Sequence, residues 1–157
     1  MSRSKALSER IRELYIHGDW IANTNYKETL DKLNWEQASY RFGHLNTIVS
    51  LTYHINYYLA GIYHALVSGK LEISDKYSFD CKHIASEADW KQLVSELTSN
   101  AERLSDFIEA MEERQLEEPF ADGKYGSIER NIDGAIEHGY YHLGQMRLIL
   151  KLLPTQA

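Results

Sequence analysis

The sequence has few of the residues that indicate disulfides, nucleic-acid binding or membrane insertion. Its single cysteine, Cys81, excludes an intrachain disulfide and favours a reducing, cytoplasmic environment. Acidic residues outnumber lysine and arginine by 23 to 17, and the net charge of −6 argues against nucleic acid as a partner. The longest apolar run, residues 48–67, is interrupted by histidine, asparagine and glycine, which predicts a buried helix rather than a membrane span. Residues 1–14 are charged throughout and lack the apolar segment of a signal peptide.

Proline is scarce as well, and its scarcity favours long helices. The two prolines are Pro119 and Pro154, so proline bars no residue before 118 from a helix. Apolar residues recur with helical spacing in four segments, residues 4–22, 46–67, 86–113 and 128–150. The chain of 157 residues, 43% of them hydrophobic, is long enough for one domain with a core. These features predict a single all-α domain over residues 1–157, most simply a four-helix bundle, with residues 23–46 long enough to cross it.

Several residues mark the expected ends of these helices. Asn46 is the predicted N-cap of the second helix, and Gly69 lies in its small, flexible C-terminal region. Ser86 and Asp89 resemble a capping box at the start of the third helix. Trp20, near the end of the first helix, faces either the core or the rim of a pocket, and the core is favoured because tryptophan is large and mostly buried.

Three histidines provide the clearest candidate for chemistry. His138 and His142 are four residues apart, so their rings lie on one helix face, one turn apart. At about 100° per residue, His142 falls in the middle of the apolar stripe and His138 at its edge. His54 lies on the flank of the apolar stripe of the second helix. Neutral imidazole is a favoured ligand of divalent first-row metals, so the three rings could form a site with at least one open position.

A purely structural interpretation remains open at this point. A lone His-x-x-x-His pair often occurs by chance, and His54 alone is more often a hydrogen-bonded core histidine than a ligand. Burial of two rings without partners would cost several kcal/mol, which favours pairing or metal binding if both point inward. Cys81 is expected to be a partly buried small residue. The remaining histidines are interpreted as surface or capping groups, with a pocket wall as the weaker alternative for His44 and His64: His17, His44, His64 and His83.

Other catalytic patterns are absent from the sequence. It contains no Glu-x-x-His pair, which makes a di-iron carboxylate bundle an unfavoured interpretation. It also contains no His-Glu-x-x-His motif, no glycine-rich phosphate loop and no Gly-x-Ser-x-Gly elbow. A three-histidine metal site is therefore the main chemical hypothesis.

The chain resembles the DinB-like (DinB/YfiT) family of helical-bundle proteins. The resemblance rests on the segment Leu51-Thr52-Tyr53-His54-Ile55-Asn56 and on Asp89-Trp90 at the start of the third helix. It rests further on residues 137–146, in which His-x-x-x-His is followed by Leu-Gly-Gln. The matching features span nearly the whole chain, from the first helix to the last.

The resemblance implies a four-helix bundle with a crossover connection, forming a homodimer. It implies a divalent metal, nickel or zinc, on His54, His138 and His142. Characterised relatives include transferases and isomerases that use low-molecular-weight thiols. The expected function is therefore a metal-dependent thiol (bacillithiol-like) S-transferase or a related hydrolase that acts on a small-molecule substrate. The alternative is a non-catalytic dimeric bundle with a binding or stress-response role. Residues that could orient the ligand rings are Asn56, Tyr58, Glu137 and Gln145.

Overall fold

The computed structural model describes residues 1–154, and this part of the chain is helical without any strand. Its α-helices are α1 (Arg3–Arg12), α2 (Tyr26–Asp31), α3 (Trp35–Ser39), α4 (Ile48–Ser68), α5 (Glu87–Glu109) and α6 (Ile128–Leu152). A π-helical turn, Glu13–His17, continues α1, and two short 3₁₀ turns occupy Asp75–Tyr77 and Glu113–Glu117. The prediction of an all-α protein is confirmed. No helix in the described residues is long and apolar enough to cross a membrane.

The core lies between the four longer helices, each of which packs against two others. α1 contacts α5 and α6, and α4 contacts the same two helices. Apolar side chains with helical spacing fill the space between them, as the sequence periodicity predicts. The predicted connection between the first two long helices contains the short helices α2 and α3, which pack against α5. His54 on α4 is thereby brought beside the histidines of α6.

The helix ends follow local capping chemistry, with one correction to the sequence interpretation. Thr47, rather than the predicted Asn46, caps α4, because the Thr47 side chain accepts a hydrogen bond from the Ser50 amide. The predicted capping of α5 is confirmed: Ser86 accepts from the Asp89 amide. Gly69 ends α4 with φ of +73°, a left-handed conformation that glycine adopts without strain.

Two further differences from the sequence interpretation concern where helices stop. The apolar spacing predicts a first helix up to residue 22, but its last turn ends at His17 and the chain becomes extended at Gly18. Trp20 consequently lies outside the helix and is 83% exposed, so the prediction that it is a core residue is wrong. The third helix ends at Glu109, before the predicted boundary at residue 113.

The middle of α6 is held against the rest of the molecule at Gly139, between the two α6 histidines. A Cβ atom built on Gly139 would lie 2.4 Å from the Tyr15 hydroxyl and 2.5 Å from a Leu14 methyl carbon. The Tyr26 hydroxyl donates a 2.7 Å hydrogen bond to the Gly139 carbonyl oxygen. This close approach, which requires glycine, fixes the position of α6 and of the histidines on either side.

Candidate metal centre

The structure brings the three predicted histidines together. The Nε2 atom of His138 lies 3.1 Å from Nε2 of His54 and 2.9 Å from Nε2 of His142. One ring nitrogen of each residue lies within 4.8 Å of the other two. His54 and His142 are each 7% exposed, and His138 is half-buried. Within residues 1–154 no other group of three histidine, cysteine or acidic side chains brings its ligand atoms so close.

Two of the rings are oriented by hydrogen bonds from their outer nitrogens. His54 Nδ1 donates to the Ser78 carbonyl oxygen at 3.3 Å, and His142 Nδ1 donates to the Gln145 side-chain oxygen at 2.7 Å. An acceptor oxygen at Nδ1 places the single hydrogen of a neutral imidazole there. Both rings therefore direct Nε2 lone pairs toward His138.

This arrangement has more lone pairs than hydrogens at its centre. His138 Nε2 can donate at most one hydrogen, yet it faces the lone pairs of both His54 and His142. Nitrogen ligands about 2.1 Å from a common ion, at angles of 90–109°, would be about 3.0–3.4 Å apart. The two separations from His138 Nε2, 3.1 and 2.9 Å, are close to that range, and the third pair of ring nitrogens lies within 4.8 Å. The residues present thus fit a divalent metal ion in donor type and in two of the three separations.

The electrostatics of the cluster keep the three rings neutral at pH 7. Burial lowers the pKa of His54, and the neighbouring His142 adds to this effect. Burial, with contributions from His142 and His54, lowers the pKa of His138 to about 4. Burial also lowers the pKa of His142, opposed by the hydrogen bond to Gln145. Because metal binding requires the unprotonated imidazole, these shifts prepare all three rings as ligands.

Aromatic side chains enclose the three imidazoles. Phe79 stacks on His54, with ring centroids 4.1 Å apart and an interplanar angle of 14°. Tyr58 meets His54 and His138 edge-on, with centroids 5.0 and 5.1 Å away. Tyr141 packs edge-on against His142 at 4.9 Å. Apolar ring surface therefore borders the nitrogen cluster, and part of it is open to solvent because Phe79 is 43% exposed.

Two of the four proposed orienting residues touch the cluster and two do not. Gln145 hydrogen-bonds to His142, and the Tyr58 ring contacts two of the histidines. Asn56 instead accepts a hydrogen bond from Asn100 of α5. Glu137 points to solvent and forms an ion pair with Arg130.

The other candidates are where the sequence places them. The remaining histidines, His17, His44, His64 and His83, are exposed. Cys81 is partly buried, and burial raises the pKa of its thiol, which disfavours the reactive thiolate.

Sequence reasoning missed the contribution of residues 74–79. This segment supplies the Ser78 carbonyl that orients His54 and the Phe79 ring that covers it. It is attached to α4 through Tyr57, whose hydroxyl donates to the Ser74 carbonyl and accepts from the Ser74 amide. A backbone carbonyl leaves no signal in residue type, so only the aromatic residue offered a clue.

No model of a known protein family, no curated protein and no solved structure matches the chain. The geometry of the histidine cluster therefore carries the functional argument.

Proposed function

We propose that the protein is a metal-dependent enzyme of the DinB-like type, with nickel or zinc held by His54, His138 and His142. The observation that carries the proposal is the convergence of three Nε2 atoms, two of them with lone pairs fixed by Nδ1 hydrogen bonds. No fourth histidine, cysteine or acidic ligand joins the group within the described residues. An open coordination position is typical of catalytic rather than structural sites.

The proposed activity is transfer of a low-molecular-weight thiol to an electrophile, or a related hydrolysis. A divalent ion in the site would lower the pKa of a coordinated thiol or water and so supply a nucleophile near pH 7. The chain contributes fixed imidazole ligands through Ser78 and Gln145. Phe79 and Tyr141 provide apolar surface, which suits the organic part of a thiol or an electrophile.

The packing supports the bundle architecture that the resemblance implies. Four helices of the domain, α1, α4, α5 and α6, form a closed set of neighbours. We take residues 23–46, which contain α2 and α3, as the crossover connection between α1 and α4. On this proposal the chain is one DinB-like domain.

The outer face of α6 supports the proposed homodimer. Tyr141, Leu148 and Leu152 are 64%, 58% and 45% exposed on this face. Gly144 lies among them with open space above its Cα, which permits close approach of a second helix. An antiparallel pair of α6 helices centred on Gly144 would place Glu137 of one copy opposite Lys151 of the other. Light scattering should then give twice the chain mass, and Leu148→Glu should give the monomer.

The central experiment is metal and thiol binding by the untagged protein. We expect one divalent ion per chain and, after cobalt(II) loading, a sulfur-to-metal charge-transfer band when 2-mercaptoethanol is added. Metal-loaded protein should also accelerate the reaction of the thiol with monobromobimane, and metal-free protein should not. Metal binding without any thiol band would favour the alternative, a non-catalytic bundle. Absence of metal uptake would contradict the proposal.

A further inference from the structure

Asp75 lies beside the histidine cluster and plays no part in holding it. Its carboxylate accepts a hydrogen bond from the Tyr58 hydroxyl at Oδ1. The ring of the same tyrosine is in edge contact with His54 and His138. The carboxylate is therefore one tyrosine side chain away from two of the proposed ligands, at the solvent-exposed border of the site.

The backbone that carries this carboxylate is held by hydrogen bonds of its own segment. The Ser78 hydroxyl donates a 2.8 Å hydrogen bond to the Asp75 carbonyl oxygen. The preceding residue, Ser74, is bound at both its amide and its carbonyl by the Tyr57 hydroxyl, at 2.9 and 3.0 Å. The backbone at Asp75 is thus held in place and the Tyr58 hydroxyl orients the carboxylate, which lowers the entropic cost of binding a ligand.

Asp75 has no positively charged partner among residues 1–154, since no lysine, arginine or histidine nitrogen lies within 4.0 Å of its carboxylate. Its neighbour in the same connection differs, because Glu72 lies 2.9 Å from His64 Nε2. Tyr58 engages only Oδ1, so the negative charge at Oδ2 is free to pair with a cationic ligand. The exposed part of the Phe79 ring provides a second surface that attracts cations.

We propose that Asp75 binds the positively charged ammonium group of a small thiol whose sulfur reaches the three-histidine site. This inference rests on the proposed function, because it assumes that the site takes a thiol. It adds the chemical class of that thiol: a cationic thiol is selected over a neutral one. Asp75 and Phe79 would hold the charged end while His54, His138 and His142 define the position of the sulfur.

The test compares two thiols on cobalt(II)-loaded protein through the charge-transfer band. Thiocholine carries a permanent positive charge on a nitrogen that cannot coordinate metal, and 2-mercaptoethanol is neutral. Asp75→Asn removes the charge while keeping an oxygen for the Tyr58 hydroxyl. Asp80→Asn makes the same charge change in the same connection, where the side chain lines a separate cavity beside Cys81. The quantity measured is the ratio of the two thiol affinities in each protein.

We expect Asp75→Asn to lower the preference for thiocholine about fivefold, the size of a partly exposed ion pair, and Asp80→Asn to leave it unchanged. In the unmodified protein the same preference should shrink as salt rises, a result that needs no variant. An unchanged ratio in Asp75→Asn, an equal loss in Asp80→Asn, or a preference insensitive to salt would overturn the inference and leave the proposed function standing. Binding of neither thiol would overturn both.

Discussion

The seven histidines of this chain fall into two groups that differ in burial and in the groups they contact. His54, His138 and His142 are at least half-buried, their rings are in mutual contact, and burial lowers the pKa of each. The other four are exposed on different parts of the surface. Where these have a partner at all, it is a carboxylate, as for His64 beside Glu72.

The comparison shows how a fold can gather individually weak ligands into a group that could hold a metal ion. Water satisfies both ring nitrogens of an exposed histidine, so the protein need not supply hydrogen-bond partners that fix the ring. Three neutral rings that share one small space need either hydrogens or a cation between their nitrogens. The fold orients two of the rings through Ser78 and Gln145, whose oxygen atoms accept the Nδ1 hydrogens. Too few hydrogens then remain between the three Nε2 atoms, and a cation would compensate for them.

The largest expected effect comes from removing one member of the buried group. His54→Ala, His138→Ala and His142→Ala should each lower the affinity for nickel or zinc at least about a hundredfold, because loss of a direct ligand exceeds the usual effect of an outer-shell change. His64→Ala and His83→Ala, on the surface, should leave the affinity unchanged. Isothermal titration of the untagged variants measures both. Equal losses in the two groups would mean that binding is dispersed over the surface.

A second prediction contrasts two glycines of α6: Gly139, which packs against the core, and Gly144, which faces open space. Gly139→Ala should destabilise the protein by about 2 kcal/mol, because its Cβ would overlap Tyr15 and Leu14. Gly144→Ala, with nothing within 4 Å of its Cβ, should stabilise the metal-free chain by up to about 1 kcal/mol. Urea unfolding measures both values at protein concentrations low enough to avoid association. Similar effects at the two positions would contradict the close packing at Gly139.

The pH dependence of stability should also separate the two groups. The pKa of His138 is about 4 in the folded metal-free protein, against about 6.5 when unfolded. As pH falls below 6.5 the unfolded chain takes up the proton first, so the contribution of His138 to stability is lost between pH 6.5 and 4 and changes little below that range. For this half-exposed ring the loss should be on the order of 2 kcal/mol.

His138→Gln is the matching control for this pH dependence. It should reduce the slope of urea midpoint against pH over the same interval to the part that His54 and His142 contribute, whereas His83→Gln should leave the slope unchanged. If His138→Gln retained the full slope, the pKa of His138 would be near that of an exposed histidine.

The smallest effect is expected at the hydrogen bond that orients His142. Gln145→Leu removes the acceptor for Nδ1 and should lower metal affinity about tenfold, the low end for an outer-shell partner. Gln145→Glu keeps an acceptor oxygen and should retain most of the affinity. Competition with a chromophoric chelator measures the difference. A full-affinity Gln145→Leu protein would show that the orientation of His142 comes from packing alone.

The helices and the histidine cluster were predictable because their signals repeat along the chain. The apolar spacing indicated where α4, α5 and α6 run, and the four-residue interval placed His138 and His142 on one face. His54 lies on the flank of the apolar stripe of α4, and the resemblance to the DinB-like family, more than this position, joined it to the pair. These are periodic or local properties, and a single sequence carries them.

The remainder depended on contacts that no local pattern records. The exposure of Trp20 follows from the helix ending at Gly18, where a Cβ would overlap Glu13. Residues 74–79 look like an ordinary connection, yet they provide the Ser78 carbonyl, Phe79 and Asp75 of the site. Tyr26 supports α6 from a distance of 113 residues along the chain. Only three-dimensional packing brings these groups to the histidines.

The most direct test of the account is the ¹⁵N NMR spectrum of the seven imidazoles during titration with zinc. We predict that one equivalent of zinc shifts the Nε2 resonances of His54, His138 and His142, and that the other four histidines do not respond. The Nδ1 atoms of His54 and His142 should remain protonated throughout. An absence of shifts at one equivalent, or shifts confined to the exposed histidines, would contradict the assignment of this cluster as a metal site.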